Sequence, residues 1–79
     1  MSDLPAHLLV DLAEYDRGGF DDDFEGCMEF FAAVVRAGGG PWRLDSRINE
    51  AIDKGYISAA GDVLANGYEG HWEIATDLG

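Results

Sequence analysis

Apolar residues recur at helical spacing from the first part of the chain. Leu8, Leu9, Leu12 and Tyr15 recur at helical spacing, with Asp11, Glu14 and Asp16 falling mainly on the other side, as an amphipathic helix requires. Asp3-Leu4-Pro5 reads as its start, because an acidic side chain caps free N–H groups and proline suits the first turn. Gly18-Gly19 ends it. A stronger stripe, Phe24, Cys27, Met28, Phe31, Val34 and Val35, predicts a second helix. Asp22 and Glu25 have the spacing of a capping pair at its start. Arg36 falls in its last turn, where the helix dipole favours a cation, and Gly38-Gly39-Gly40-Pro41 stops it. Trp42 and Leu44 return apolar mass to the core. Asp45 or Ser46 can cap a third helix carrying Ile48, Ala51 and Ile52. Lys54 closes that helix, and Gly55 can take the left-handed position after it. Tyr56 and Ile57 follow as a core contact.

The period then changes from helical to two. Tyr68, Gly70, Trp72 and Ile74 alternate with Glu69, His71 and Glu73, which predicts a strand with one apolar and one polar face. Asn66-Gly67 before it is a two-residue hairpin signal, with Asp62 to Ala65 as the opposing strand. Tyr56 to Ser58 can add a third strand through a turn at Gly61. The expected fold is α+β, with about three N-terminal helices followed by a small antiparallel β-hairpin or meander. The chain has 79 residues, so residues 1–79 are expected to form a single compact acidic domain. A domain this small buries only about 60% of its unfolded surface, which leaves little core to support an elaborate cleft.

Charge changes this picture most. Sixteen Asp and Glu stand against five Lys and Arg, a net charge of −11. Residues 1–29 hold nine acids and one base, Arg17, and carry −8, whereas residues 30–79 hold seven acids and four bases and carry −3. Solubility alone asks for about 2–8 units in a small domain. The excess repels nucleic acid and anionic membrane, and it attracts basic surfaces. Cys27 is the single cysteine, so no internal disulfide forms and a reducing cytoplasm is expected. The N-terminal MSDLPAHLLV lacks a basic segment followed by a long apolar run, so neither a secretory signal nor a membrane span is expected.

The stretch Asp21-Asp22-Asp23-Phe24-Glu25-Gly26 resembles the opening of a calcium loop. Such a loop needs a bidentate Glu at its twelfth position, and Ala32 stands there. The helical stripe through the same residues opposes the loop as well. Zinc lacks a ligand set, since Cys27, His7 and His71 have none of the paired spacings a zinc site uses. Cys27 lies on an apolar stripe and reads as a small core residue. No P-loop, dinucleotide or nucleophile-elbow motif occurs, so neither catalysis nor a metal or cofactor is expected. Arg43, Arg47 and Lys54 are too few to hold nucleic acid in an acidic field, and pairing with Asp45, Glu50 and Asp53 would account for them. Helix capping explains one or two residues of the acidic run. The remainder point to a partner-binding patch of Asp11, Glu14, Asp16, Asp21, Asp22, Asp23, Glu25 and Glu29, with Phe20 as an apolar contact.

The middle of the chain resembles a pattern found in small phage proteins. It runs Tyr15-x-x-Gly18-x-x-Asp21, then Glu29-Phe30-Phe31 with Val34-Val35 and Gly38, then Trp42-x-Leu44, then Ala51-Ile52-x-x-Gly55-Tyr56-Ile57. Where those proteins carry G-R-x-A before the last helix, Ser46-Arg47-Ile48 stands here. Length and acidity together resemble the anti-CRISPR proteins, most closely an acidic inhibitor of the type I-C system. The resemblance implies a monomer in the cytoplasm of an infected or lysogenic bacterium. It implies as partner a basic surface of the surveillance complex (Cascade), such as its backbone subunit, covered so that target DNA cannot enter in the manner of a DNA mimic. The alternative is an acidic phage accessory protein for another basic host or phage protein, a nuclease or a DNA-binding regulator. Neither function calls for direct contact with nucleic acid or membrane.

Overall fold

A computed structural model of the chain describes residues 4–38 and 45–69. Four helices lie in them: α1 (Ala6–Asp16), α2 (Phe24–Arg36), α3 (Asp45–Asp53) and α4 (Ala65–Glu69). The fold is therefore helical, and the expected α+β arrangement is overturned: no strand or sheet occurs among the described residues. What stands in place of the meander is a tight loop with a single antiparallel bridge between Ile57 and Val63. Ser58 N–H donates to the Asp62 carbonyl at 2.8 Å and Leu64 N–H to the Tyr56 carbonyl at 2.9 Å, and the pairing extends no further. The Ser58 hydroxyl fills the loop by accepting from the N–H groups of Ala60 at 3.2 Å and Asp62 at 3.0 Å.

The hairpin turn expected at Asn66-Gly67 is helix α4. A type I′ turn needs positive φ at both central residues, and Gly67 is not among the glycines with positive φ. Its lack of a side chain serves packing instead. A Cβ on Gly67 would stand 2.7 Å from the Tyr56 carbonyl oxygen and 2.8 Å from Val63 Cγ1. The strand read from Tyr68 to Ile74 fails at its start, where Tyr68 and Glu69 belong to α4. Gly70 to Ile74 lie outside the described residues, as do Asp3, Trp42, Arg43 and Leu44.

Helix α2 is the centre of the molecule and packs against α1, α3 and α4. Phe24, Cys27, Met28, Phe30, Phe31, Ala32 and Val34 are all buried on it, a wider apolar arc than the stripe predicts, as suits a helix covered on several sides. Leu4 and Leu8 join this core from the α1 side, Ile48 and Ala51 from α3, and Tyr56 and Ile57 from the loop that follows. The Phe24 and Tyr56 rings meet at right angles with centroids 5.1 Å apart. On α1 the inward residues are Leu8, Leu12 and Tyr15. Leu9, expected on that stripe, points away and is 51% exposed.

The helix ends follow local chemistry. Beyond α1, Gly18 N–H donates to the Tyr15 carbonyl at 3.1 Å and Gly19 N–H to the Glu14 carbonyl at 2.8 Å, with Gly18 at φ +83°. That is a Schellman closure. The same closure ends α3, where Gly55 N–H bonds to Ile52 and Tyr56 N–H to Ala51, as expected of Gly55. At the start of α2 the capping residue is Asp23 rather than Asp22. Its carboxylate accepts from Gly26 N–H at 2.9 Å. No helix among the described residues is long and apolar enough to cross a membrane.

Candidate functional site

The closure of α1 turns the chain through Arg17–Asp23 into α2. Within this turn Asp21 N–H donates to the Gly18 carbonyl and Asp23 N–H to the Phe20 carbonyl, both at 3.1 Å. Phe20 was expected as a contact for a partner. It is half-buried and stacks on Phe30, with centroids 5.6 Å apart and planes 17° from parallel, so it pins the turn to α2. The acidic run is thereby lifted outward: Asp21, Asp22 and Asp23 are all exposed, and so is Glu25 in the first turn of the helix.

The other acids of the predicted patch divide into two places. Glu14 is half-buried at the turn end of α1, ion-paired with Arg17, and its carboxylate lies over Gly19, where a Cβ would overlap it. Asp16 is exposed on the last turn of α1. Asp11 and Glu29 lie elsewhere, lining an open groove of about 380 Å³ between α1 and α2, together with Leu8, Phe20, Phe30 and Arg36. His7 borders the same groove and is exposed, in keeping with a solvated histidine. The structure thus separates a turn cluster (Glu14, Asp16, Asp21, Asp22, Asp23, Glu25) from a groove pair (Asp11, Glu29).

Three of the described cations are tied into the fold. Arg36 donates to the Gly61 carbonyl and so fastens the Ser58–Asp62 loop onto α2. Arg47 was expected to pair with acids close in sequence. It instead donates to the Tyr15 hydroxyl, and its guanidinium carbon lies 5.6 Å from the centre of the Tyr15 ring. That contact joins α3 to α1. Lys54 does meet Glu50, at 3.5 Å across one helical turn.

Burial also decides the reactive groups. Cys27 is 2% exposed. Burial pushes its thiol up to about 12; Arg47 acts against this, and Asp23 and Asp21 add to it. A thiolate is the nucleophile of cysteine chemistry, so Cys27 is a packing residue. Tyr15 is raised as well, by burial first and against the opposing charge of Arg47. Among the described residues no group of His, Cys, Asp or Glu is arranged to hold a metal ion. Asp23, which would belong to a calcium loop, is occupied in capping α2, and Ala32 is fully buried in that helix.

One surface escapes a search for charge. Val10 is 69% exposed and Leu9 51%, and with Ala6 and Ala13, also exposed, they occupy positions i, i+3, i+4 and i+7. The signal was present in the spacing, as a second apolar stripe beside the one that packs inward. No protein-family model, curated protein or solved structure matches the chain.

Proposed function

We propose that the protein is an acidic binding protein: an anti-CRISPR inhibitor that covers a basic surface of a type I surveillance complex, I-C in the first instance, and blocks its loading onto target DNA. The observation that carries this reading is the exposure of Asp16, Asp21, Asp22, Asp23 and Glu25 around one helix–helix turn. A surveillance complex holds DNA in a positively charged channel. A compact body bearing −11 is drawn to such a channel and need only occlude it. Inhibition by occupancy requires neither a deep cleft nor a reactive group, and the buried thiol of Cys27 and the open α1–α2 groove suit a protein that binds without catalysing. Its place of action on this reading is the cytoplasm of the bacterial host.

The test is to mix the protein with purified type I-C surveillance complex, follow co-elution on size exclusion, and read DNA binding by gel shift. Stable co-elution with loss of the shifted DNA band supports the proposal. Failure to associate with type I complexes rules it out and leaves another basic host or phage protein, such as a nuclease or regulator, as the class to screen.

A further inference from the structure

We propose that Asn66-Gly67 is a latent modification site, open to deamidation through a cyclic imide, which helix α4 keeps closed while it stays folded. An asparagine followed by glycine suits this reaction, because no side chain on the second residue hinders ring closure. The Gly67 backbone nitrogen gives up its proton and attacks the carbonyl carbon of the Asn66 side chain. A bond forms between that nitrogen and Cγ, the bond from Cγ to Nδ2 breaks, and Nδ2 leaves as ammonia. Water then opens the imide at either of its carbonyls and leaves aspartate or isoaspartate at position 66. Solvent is the only co-reactant, and Asn66 is exposed to it.

The fold holds the reacting atoms apart. Gly67 N–H donates to the Leu64 carbonyl at 2.8 Å, which opposes loss of its proton. Both residues lie in α4, and on a helix the bond to Cβ tilts toward the N-terminus, away from the next backbone nitrogen. The Asn66 side chain reaches instead toward the closure of α3, with Nδ2 3.2 Å from where a Cβ on Gly55 would stand. Gly67 itself is buried, seated so closely that a Cβ would meet the Tyr56 carbonyl oxygen at 2.7 Å and Val63 Cγ1 at 2.8 Å. α4 has five residues, too few to persist on intrinsic propensity, so this seat keeps it formed. A short element held in this way opens before the whole molecule does, and each opening frees the Gly67 nitrogen. Isoaspartate then makes the opening permanent. The backbone runs through the β-carbon, one methylene longer, and Gly67 no longer reaches both Leu64 and its seat beside Tyr56.

The test incubates the full chain at mildly alkaline pH and follows position 66 by peptide mapping, with aspartate and isoaspartate products separated. The wild type should react at least about tenfold faster in denaturant than in native buffer, as expected when only the open fraction is reactive. Val63→Ala removes one wall of the Gly67 seat and leaves the Asn66-Gly67 pair intact. It should speed the native reaction several-fold and leave the denatured rate unchanged. Asp23→Ala lowers stability at the cap of α2 instead, and its native rate should stay close to that of the wild type, since α4 opens without global unfolding. The isolated isoaspartyl fraction should melt below the unmodified protein. Equal rates in native buffer and denaturant, or no reaction at position 66 in denaturant, overturns the proposal. So does a native rate that Val63→Ala leaves unchanged, or one that Val63→Ala and Asp23→Ala raise alike. An isoaspartyl fraction that melts with the unmodified protein overturns it too.

Discussion

At the scale of single residues, Cys27 and Arg47 show how surroundings override the usual chemistry of a side chain. A cysteine four residues from an aspartate, near an arginine and a helix start, could be a reactive thiol. Burial wins, because the thiolate would have to leave water. The sign of the consequence follows. The folded-state value of about 12 lies above the unfolded 9.0, so the folded state holds its proton longer. The stability this contributes is complete below about pH 9 and is lost as pH rises toward 12, with a slope approaching ~1.4 kcal/mol per pH unit. Urea midpoints measured from pH 7 upward should fall over that window, and the fall should be shallower in Cys27→Ala. A shift of Tyr15 in the same direction leaves a residual slope in that variant. A thiol reagent at pH 8 should leave the native protein unmodified and label it fully in denaturant; rapid labelling of the native state would show Cys27 to be accessible. Arg47 was legible as a cation but its partner was not. Tyr15 lies far from it in the chain, and only tertiary packing of α3 against α1 brings them together.

At the scale of elements, local signals held at the helix C-termini closed by glycine and failed at the cap of α2 and where they concern the alternative to a helix. Gly18-Gly19 and Gly55 were readable because a left-handed glycine closes a helix by backbone hydrogen bonds alone. The apolar stripe of α2 was readable because it repeats over more than three turns. The dipeptide Asn66-Gly67 misled because glycine answers two demands, positive φ and close approach, and sequence does not separate them. Here close approach to Tyr56 and Val63 decides. Leu9 misled for a similar reason: on a helix apolar along two stripes, periodicity does not say which one faces the core. Two substitutions probe this level. Gly61 sits at φ +90°, with an added Cβ only 2.8 Å from the Ala32 carbonyl oxygen and 3.0 Å from Arg36 N, so Gly61→Ala combines a strained backbone with a clash. It should cost about 2–3 kcal/mol by chemical denaturation, and a loss under about 0.5 kcal/mol would mean the loop is not seated on α2 as described. Asp23→Ala removes the carboxylate that caps α2 and should cost ~1 kcal/mol, whereas Asp22→Ala should lie within the ±0.5 kcal/mol typical of exposed sites. Equal losses for the two would return the cap to the position the D-x-x-E spacing suggests.

At the scale of the whole molecule, the acidic excess acts on folding and on binding with opposite signs, and that separates the two experimentally. A net −11 is confined to a body with a Cα radius of gyration of 11.3 Å. Most charges therefore lie within one or two Debye lengths of one another at physiological ionic strength, where that length is about 8 Å. Self-repulsion destabilises the compact state, and salt that screens it should raise the melting temperature. The same screening weakens attraction to a basic partner, so affinity should fall over the salt range in which stability rises. Asp21→Lys with Asp22→Lys is the informative variant, since both carboxylates are exposed and Asp23 remains in place to cap α2. It lowers the local negative charge, so its melting temperature at low salt should equal or exceed that of the wild type. Its affinity for the surveillance complex should drop by the equivalent of about 2–5 kcal/mol if these carboxylates pair with partner cations out of water. Asp53→Lys with Asp62→Lys makes the same change in net charge at exposed positions of the second half of the chain. If charge total alone mattered, both variants would lose binding equally. If the α1–α2 turn is the interface, only the first should, and its residual binding should depend less steeply on salt. Equal loss in the two variants, or loss only in the Asp53/Asp62 pair, would move the interface away from the turn and leave the acidic run as a helix cap with a solvated flank.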